Sequence, residues 1–375
     1  MGIYLSDLCR KIKQKRGLDA SGPRFQKGVL VSMNNKVLRT AIVGCGNIFP
    51  MHAVPVRKMD EAQLVAVCDC KAERMQKAAD DFHCAGYTDM DEMLCEEHPD
   101  VVHICTPHYL HAPLAIKALK SGCHVMTEKP MAIRDADALE MLDTSAQTGK
   151  TLAVIFQNRY NAGSQLIRKS LDDGSLGKVT AARMILTWDR SEEYYSKSDW
   201  KGTWEKEGGG VIIDQAIHTL DLMRWLMGDK VASVRAAFSN WNHPSSHVED
   251  TAQGRIQFES GVYGCFYAMN HFCMNSPVFL ELVCEKGRAV MEGPRAHIYL
   301  KNGQELIACE DPADIFEYGD VKRYWGTSHV KQIRNFYRYL TGQEELYIKA
   351  EDAYRTQQMV CAIYDSAKDN KVVFL

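Results

Sequence analysis

The chain has 375 residues, 46% of them apolar and 25% charged, and a formal net charge of -3. That length suits two domains with separate cores, and so small a charge offers no basic field for nucleic acid. There is no apolar run long enough to span a bilayer and no signal-peptide core at the N-terminus, and the 13 scattered cysteines contain no CxxC pair. Cysteines inside apolar runs (Cys68, Cys105, Cys265, Cys284) read as reduced thiols used as small core residues in a cytoplasmic protein.

Residues 1–37 stand apart, with a short basic stretch at Leu8 to Arg16 and a break at Ala20-Ser21-Gly22-Pro23. They read as a tail, an arm on a neighbouring subunit, or leader sequence ahead of a start at Met33. Leu38 to Val43 is then a strand, Gly44 to Asn47 a tight turn, Met51 to Met59 a helix and Gln63 to Cys68 a strand. Lys71 to Phe82 is helical, Asp100 to Cys105 a strand, His111 to Ser121 a helix and His124 to Thr127 a strand. A helix at Asp135 to Thr148 and a strand at Thr151 to Phe156 complete the alternation. Strands alternating with helices of about ten residues predict a doubly wound parallel sheet, so residues 38–157 form a nucleotide-binding domain. Residues 158–375 change rhythm. Strand-like runs at Val179 to Trp188, Val231 to Trp241, Thr251 to Phe258, Val262 to Met269 and Val278 to Cys284 alternate in polarity. With helices at Gln215 to Leu226, His329 to Leu340 and Ala350 to Ser366 they predict an α+β domain on an open, mostly antiparallel sheet.

Three constellations carry chemistry. The turn Gly44-Cys45-Gly46-Asn47-Ile48-Phe49 has two of the three glycines of a dinucleotide fingerprint, with Phe49 in the third place, and Asp69 ends the next strand. Gly44 permits the turn, Gly46 lets backbone N–H groups approach a pyrophosphate, and Asp69 accepts from the adenosine ribose, favouring NAD over NADP. Thr106 and Pro107 follow the next strand as a wall beside the nicotinamide, with His111 opening the helix. His103, His108, His111 and His124 lack consistent ligand spacing, so no metal is expected. Lys129 closes its strand within Glu128-Lys129-Pro130, at the carboxyl end where open parallel sheets bind ligands. Asp214 and His218 follow Gly208-Gly209-Gly210; four residues apart on one helix face, the carboxylate would orient a histidine general base.

In their joint order these motifs resemble the Gfo/Idh/MocA oxidoreductases over residues 38–375. The resemblance implies a Rossmann domain joined to an open-sheet domain, and catalysis by Lys129, Asp214 and His218. It also implies a cis bond before Pro130, cofactor contacts at Gly44, Gly46, Asn47, Ile48, Asp69, Thr106, Pro107, His111 and the Glu128-Lys129-Pro130 turn, and a homodimer or homotetramer through the exposed sheet face. Aromatics interleaved with polar residues before the glycine run suit a carbohydrate, rings covering C–H faces. Arg159, Tyr160, Arg190, Tyr195, Trp200 and Trp204 are the expected substrate contacts, Tyr160 equally a packing residue, and Asp221 a surface or packing residue.

The expected activity is NAD-dependent hydride transfer, NADP being possible, to or from a secondary hydroxyl of a sugar, glycoside or cyclitol, with no nucleic acid or membrane partner. The alternatives are a redox-assisted glycosidase or lyase that retains its NAD, and a nucleotide-sensing regulator on the same fold.

Overall fold

The computed structural model describes residues 37–311, 316–318 and 328–375. The expected N-terminal segment, including Met33, lies outside them except for Val37.

Six parallel strands make the first sheet: β1 (Leu38–Val43), β2 (Ala62–Cys68), β3 (Ala85–Tyr87), β4 (Val101–Ile104), β5 (His124–Thr127) and β6 (Leu152–Val154), in the order β3-β2-β1-β4-β5-β6. Its helices are α1 (Phe49–Lys58), α2 (Ala72–Phe82), α3 (Met90–Glu97), α4 (His111–Lys120) and α5 (Asp135–Thr148). Strand order reverses between β1 and β4, which opens a crevice at their carboxyl ends. β1 and β4 are nearly all buried, because helices cover both faces of the sheet. The β3 and α3 pair was not anticipated: three strand residues give no periodicity to read.

The second sheet has nine strands: β7 (Val179–Thr187), β8 (Val231–Ser239), β9 (Thr251–Phe258), β10 (Tyr263–Met269), β11 (Phe279–Cys284), β12 (Gly287–Glu292), β13 (Arg295–Leu300), β14 (Glu305–Ala308) and β15 (Val373–Phe374). They run β14-β13-β12-β11-β7-β10-β9-β8-β15. Every pairing is antiparallel except β7 with β10, which is parallel. Buried and exposed residues alternate along β7 and β10, so one face enters the core and the other stays open, with Ile185, Tyr263 and Val283 exposed on it. Cys265 is exposed too, against the expectation of a core residue, while Cys68, Cys105 and Cys284 are buried free thiols. The buried face packs on α6 (Ala162–Asp172), α8 (Ile217–Met227) and α10 (Ala350–Asp369), beside the short α7 (Glu192–Ser196). Strands β12 to β14, short and half exposed, and helix α6 were not read from the sequence.

Two late elements return to the first domain. Helix α9 (His329–Leu340) lies against α1, and α10 packs on both β8 and α5. They seat the second sheet over the crevice.

Candidate active site

The nucleotide turn is built by close approach. Gly44 has φ +97°, and a Cβ there would lie 2.5 Å from the Cys105 carbonyl oxygen, so only glycine fits. A Cβ on Gly46 would meet nothing, leaving that side of the turn open to a ligand. Asp69 braces the turn: its carboxylate accepts from Cys45 N and Lys71 N, both at 2.8 Å. Thr106 and Pro107 line the neighbouring strand end, where Thr106 Oγ1 is buried without a partner. Asn47 is exposed, and Ile48 packs beside Met51 and Val330. Phe49 starts α1 with its ring edge on Phe82, the centroids 5.3 Å apart. A phosphate-accessible turn, a bracing Asp69 and an unpaired hydroxyl at the crevice fit a dinucleotide.

The Lys129–Pro130 peptide is cis. Lys129 Nζ reaches across the crevice and donates to the Asp214 carbonyl at 2.6 Å and to Asp214 Oδ1 at 3.3 Å. Glu128, expected at the cofactor, is buried and turns its carboxylate inward: Oε1 accepts from His52 Nε2 (3.1 Å) and His329 Nε2 (3.2 Å), and Oε2 from Lys129 N (3.1 Å). His111 is also fully buried, its ring nitrogens 2.7 Å from the Pro130 carbonyl and 2.9 Å from that of Thr106. It ties the two cofactor-facing turns together and presents no free edge to a cofactor.

Asp214 does not orient His218. It lies in a π-helical turn, Ile212–Ala216, where a turn takes more than four residues, so the four-residue spacing no longer aligns the two side chains. Its carboxylate binds cations instead. Oδ2 accepts from Lys201 Nζ (2.7 Å), Gln215 Nε2 (2.7 Å) and the Tyr194 hydroxyl (2.5 Å), and His108 Nε2 lies 3.8 Å from Oδ1. Burial works against the charge, but the ammonium groups of Lys201 and Lys129 outweigh it and hold the Asp214 carboxyl well below its ordinary value. His218 packs edge-on against Phe156, with Nδ1 buried and unpaired. Burial, and then the nearby Lys129 ammonium, push its imidazole down to about 3, so the ring is neutral, and a weak base for as long as Lys129 stays charged beside it.

The segment carrying both residues is held from behind. Glu249 accepts from Gly210 N (2.8 Å), Ile212 N (3.0 Å) and the Tyr364 hydroxyl (2.8 Å), and that hydroxyl accepts from Ile213 N (3.1 Å). A Cβ on Gly210 would overlap the Glu249 carbonyl, so the glycine run serves this close approach.

The expected substrate contacts divide. Trp200 is at the site, 4.7 Å from the His108 ring, with Lys201 Nζ 4.3 Å from its own ring. Arg190 lies over Trp188 and Tyr194. Tyr195 is buried against His243, its hydroxyl accepting from Asn270; its neighbour Tyr194 is the one that meets Asp214. Trp204 packs on Tyr364 and Phe238, and Tyr160 packs edge-on against Tyr347 and donates to Asn335. Arg159 is 1% exposed and paired with Asp221 and Asp352, a structural ion cluster in which Asp221 is buried, not a surface residue. Lys201, Tyr194 and His108 were not expected around Asp214. Lys201 stands inside the aromatic stretch, but nothing in its spacing points to residue 214.

Residues 38–156 match the oxidoreductase family with an NAD-binding Rossmann fold, and residues 164–290 match the GFO/IDH/MocA C-terminal domain. The D-glucoside 3-dehydrogenase of Escherichia coli (strain K12) is 31% identical over 359 residues, 90% of this chain and 97% of that protein. The chain belongs to the Gfo/Idh/MocA oxidoreductase family. A second relative, the myo-inositol 2-dehydrogenase of Thermotoga maritima, is 23% identical over 319 residues, 84% of this chain and 92% of that one. Among solved structures, the WlbA dehydrogenase from Bordetella pertussis, in complex with NADH and UDP-GlcNAcA, superposes with a TM-score of 0.80 at 29% identity, covering 91% of this chain and 98% of that one.

Proposed function

We propose that this chain oxidises a secondary hydroxyl of a glycoside, sugar or cyclitol with NAD, or catalyses the reverse reduction. The observation that carries this reading is the meeting of Lys129 with Asp214 beside a neutral His218, at the carboxyl ends of strands whose switch point fits a dinucleotide. Kinship with sugar and cyclitol dehydrogenases supports the substrate class.

Gly44, Gly46, Asp69, Thr106 and Pro107 would hold NAD, which when bound supplies the hydride acceptor. His218 accepts the hydroxyl proton. Lys129 donates to the same oxygen and favours its alkoxide character. Asp214 fixes the ammonium groups of Lys129 and Lys201, and Tyr194 and Trp200 shape the approach. Replacing Lys129 by Ala should cut turnover on the order of 10²-fold while NAD still binds; an equally active variant would remove Lys129 from the mechanism.

We assign residues 38–157 to NAD binding and 158–375 to substrate binding and to self-association through the open sheet face. We place the protein in the cytoplasm on its free thiols at Cys68, Cys105 and Cys284, although Cys95 is disulfide-bonded. No helix of the described residues is long and apolar enough to cross a membrane.

A further inference from the structure

Behind Glu128 runs a line of polar groups with no solvent exposure: His52, His103, Tyr337 and Thr40 are each 0% exposed. His52 Nε2 lies 3.1 Å from Glu128 Oε1, and His52 Nδ1 lies 2.8 Å from His103 Nδ1. His103 Nε2 is 3.0 Å from the Tyr337 hydroxyl, which is 2.7 Å from Thr40 Oγ1.

With Glu128 ionised and both rings neutral, one arrangement of protons satisfies the links from Glu128 to Tyr337. An ionised carboxylate only accepts, so His52 Nε2 carries a hydrogen and donates. In a neutral ring the other nitrogen is then an acceptor, so His103 Nδ1 donates to His52 Nδ1. His103 Nε2 must in turn accept from the Tyr337 O–H, whose oxygen is left to accept from the Thr40 hydroxyl, which also lies 3.3 Å from the Leu38 carbonyl. Every donor points towards Glu128. Burial opposes the charge on Glu128, but hydrogen bonds from His329 and His52 outweigh it and hold the carboxyl well below its ordinary value. Burial keeps both relay histidines below theirs, Glu128 partly opposing it at His52 and His52 adding to it at His103.

The chain of bonds joins β1, β4, α1 and α9 to the strand end that carries Lys129, whose backbone N–H donates to Glu128 Oε2. We propose that His52, His103 and Tyr337 are positioning residues, forming a one-way hydrogen-bond relay that anchors Glu128 and so fixes the backbone from which Lys129 reaches the reacting oxygen. This rests on the role given to Lys129 above. The same carboxylate with His52 and His329 has the residue types and spacing of a metal site. A metal would need lone pairs on both Nε2 atoms, which would reverse the His52 tautomer and with it the relay.

Long-range proton–nitrogen NMR on the full chain labelled with ¹⁵N-histidine, at neutral pH, separates these cases. The relay predicts His52 in the Nε2–H form and His103 in the Nδ1–H form, both neutral. Tyr337→Phe keeps the ring and removes the donor to His103. It should mix the His103 tautomers and lower kcat about ten-fold at unchanged NAD affinity. The proposal is overturned by His52 in the Nδ1–H form, by either ring being cationic, by one tightly bound zinc per chain, or by wild-type kcat in Tyr337→Phe. A fully active Lys129→Ala would also remove this role, but would leave the histidine tautomers as stated, so the two failures are distinguishable.

Discussion

Lys201 donates to Asp214 Oδ2 from 2.7 Å, on the oxygen opposite the one that Lys129 approaches. Both partners are nearly buried, with side-chain exposures of 15% and 9%. Removing Lys201 takes one of two ammonium partners from the buried Asp214 and the ammonium from the buried Glu207. Lys201→Met should therefore destabilise the fold by roughly 3 kcal/mol, read by urea unfolding, and should lower turnover as well. Wild-type stability in that variant would mean the pair is solvated in solution.

A neutral His218 has a consequence for pH. With its imidazole pushed down to about 3, the free protein keeps its base deprotonated through the range where an ordinary histidine, near 6.5, would titrate. The kcat/KM profile should hold its plateau on the acid side past that range. Because the Lys129 ammonium contributes to the shift, residual activity of Lys129→Met should show an acid limb at higher pH than the wild type. An identical limb in both would disconnect the two residues.

Arg159 was expected at the substrate and instead sits in a buried cluster with Asp221 and Asp352. Asp221→Asn should cost about 3–5 kcal/mol in unfolding free energy. The folded fraction should keep an unchanged KM for substrate. A raised KM at full stability would return Arg159 to the binding site.

Glu249 is 1% exposed, and burial pushes its carboxyl up to about 7, against the pull of the Ile212 amide and the Tyr364 hydroxyl. The folded protein thus holds this proton more tightly than the unfolded chain. The stabilisation is complete below the ordinary value of 4.5 and is lost as pH rises through about 7. Unfolding free energy should fall by up to roughly 3 kcal/mol across that window, and Glu249→Gln should flatten the slope. Parallel slopes in the two proteins would assign the pH dependence to other groups.

Much of the frame was legible because parallel strands covered on both faces are continuous apolar runs, as in β1 and β4. The bounds of α5 and α9 were equally plain from the sequence. Lys129, Asp214 and His218 stood out because local signals flank them: a strand end with proline for the first, a glycine run for the others. What surrounds them was not legible. Lys201 meets Asp214, His52 and His329 meet Glu128, and Glu249 meets Gly210 only through the tertiary fold. Whether Tyr194 or Tyr195 faces Asp214 depends on one helical step of about 100°, which an isolated five-residue helix does not announce. The Asp214–His218 pairing failed for a related reason, since a π-turn changes the spacing rule on which it rested.

The most direct test is net formation of reduced nicotinamide when the protein and NAD are offered a panel of glucosides, free sugars and inositols, with Lys129→Ala alongside. The account predicts stoichiometric NADH with at least one member of the panel and its near loss in the variant. Consumption of a glycoside with no net NADH, or NAD binding without turnover of any member, would contradict it.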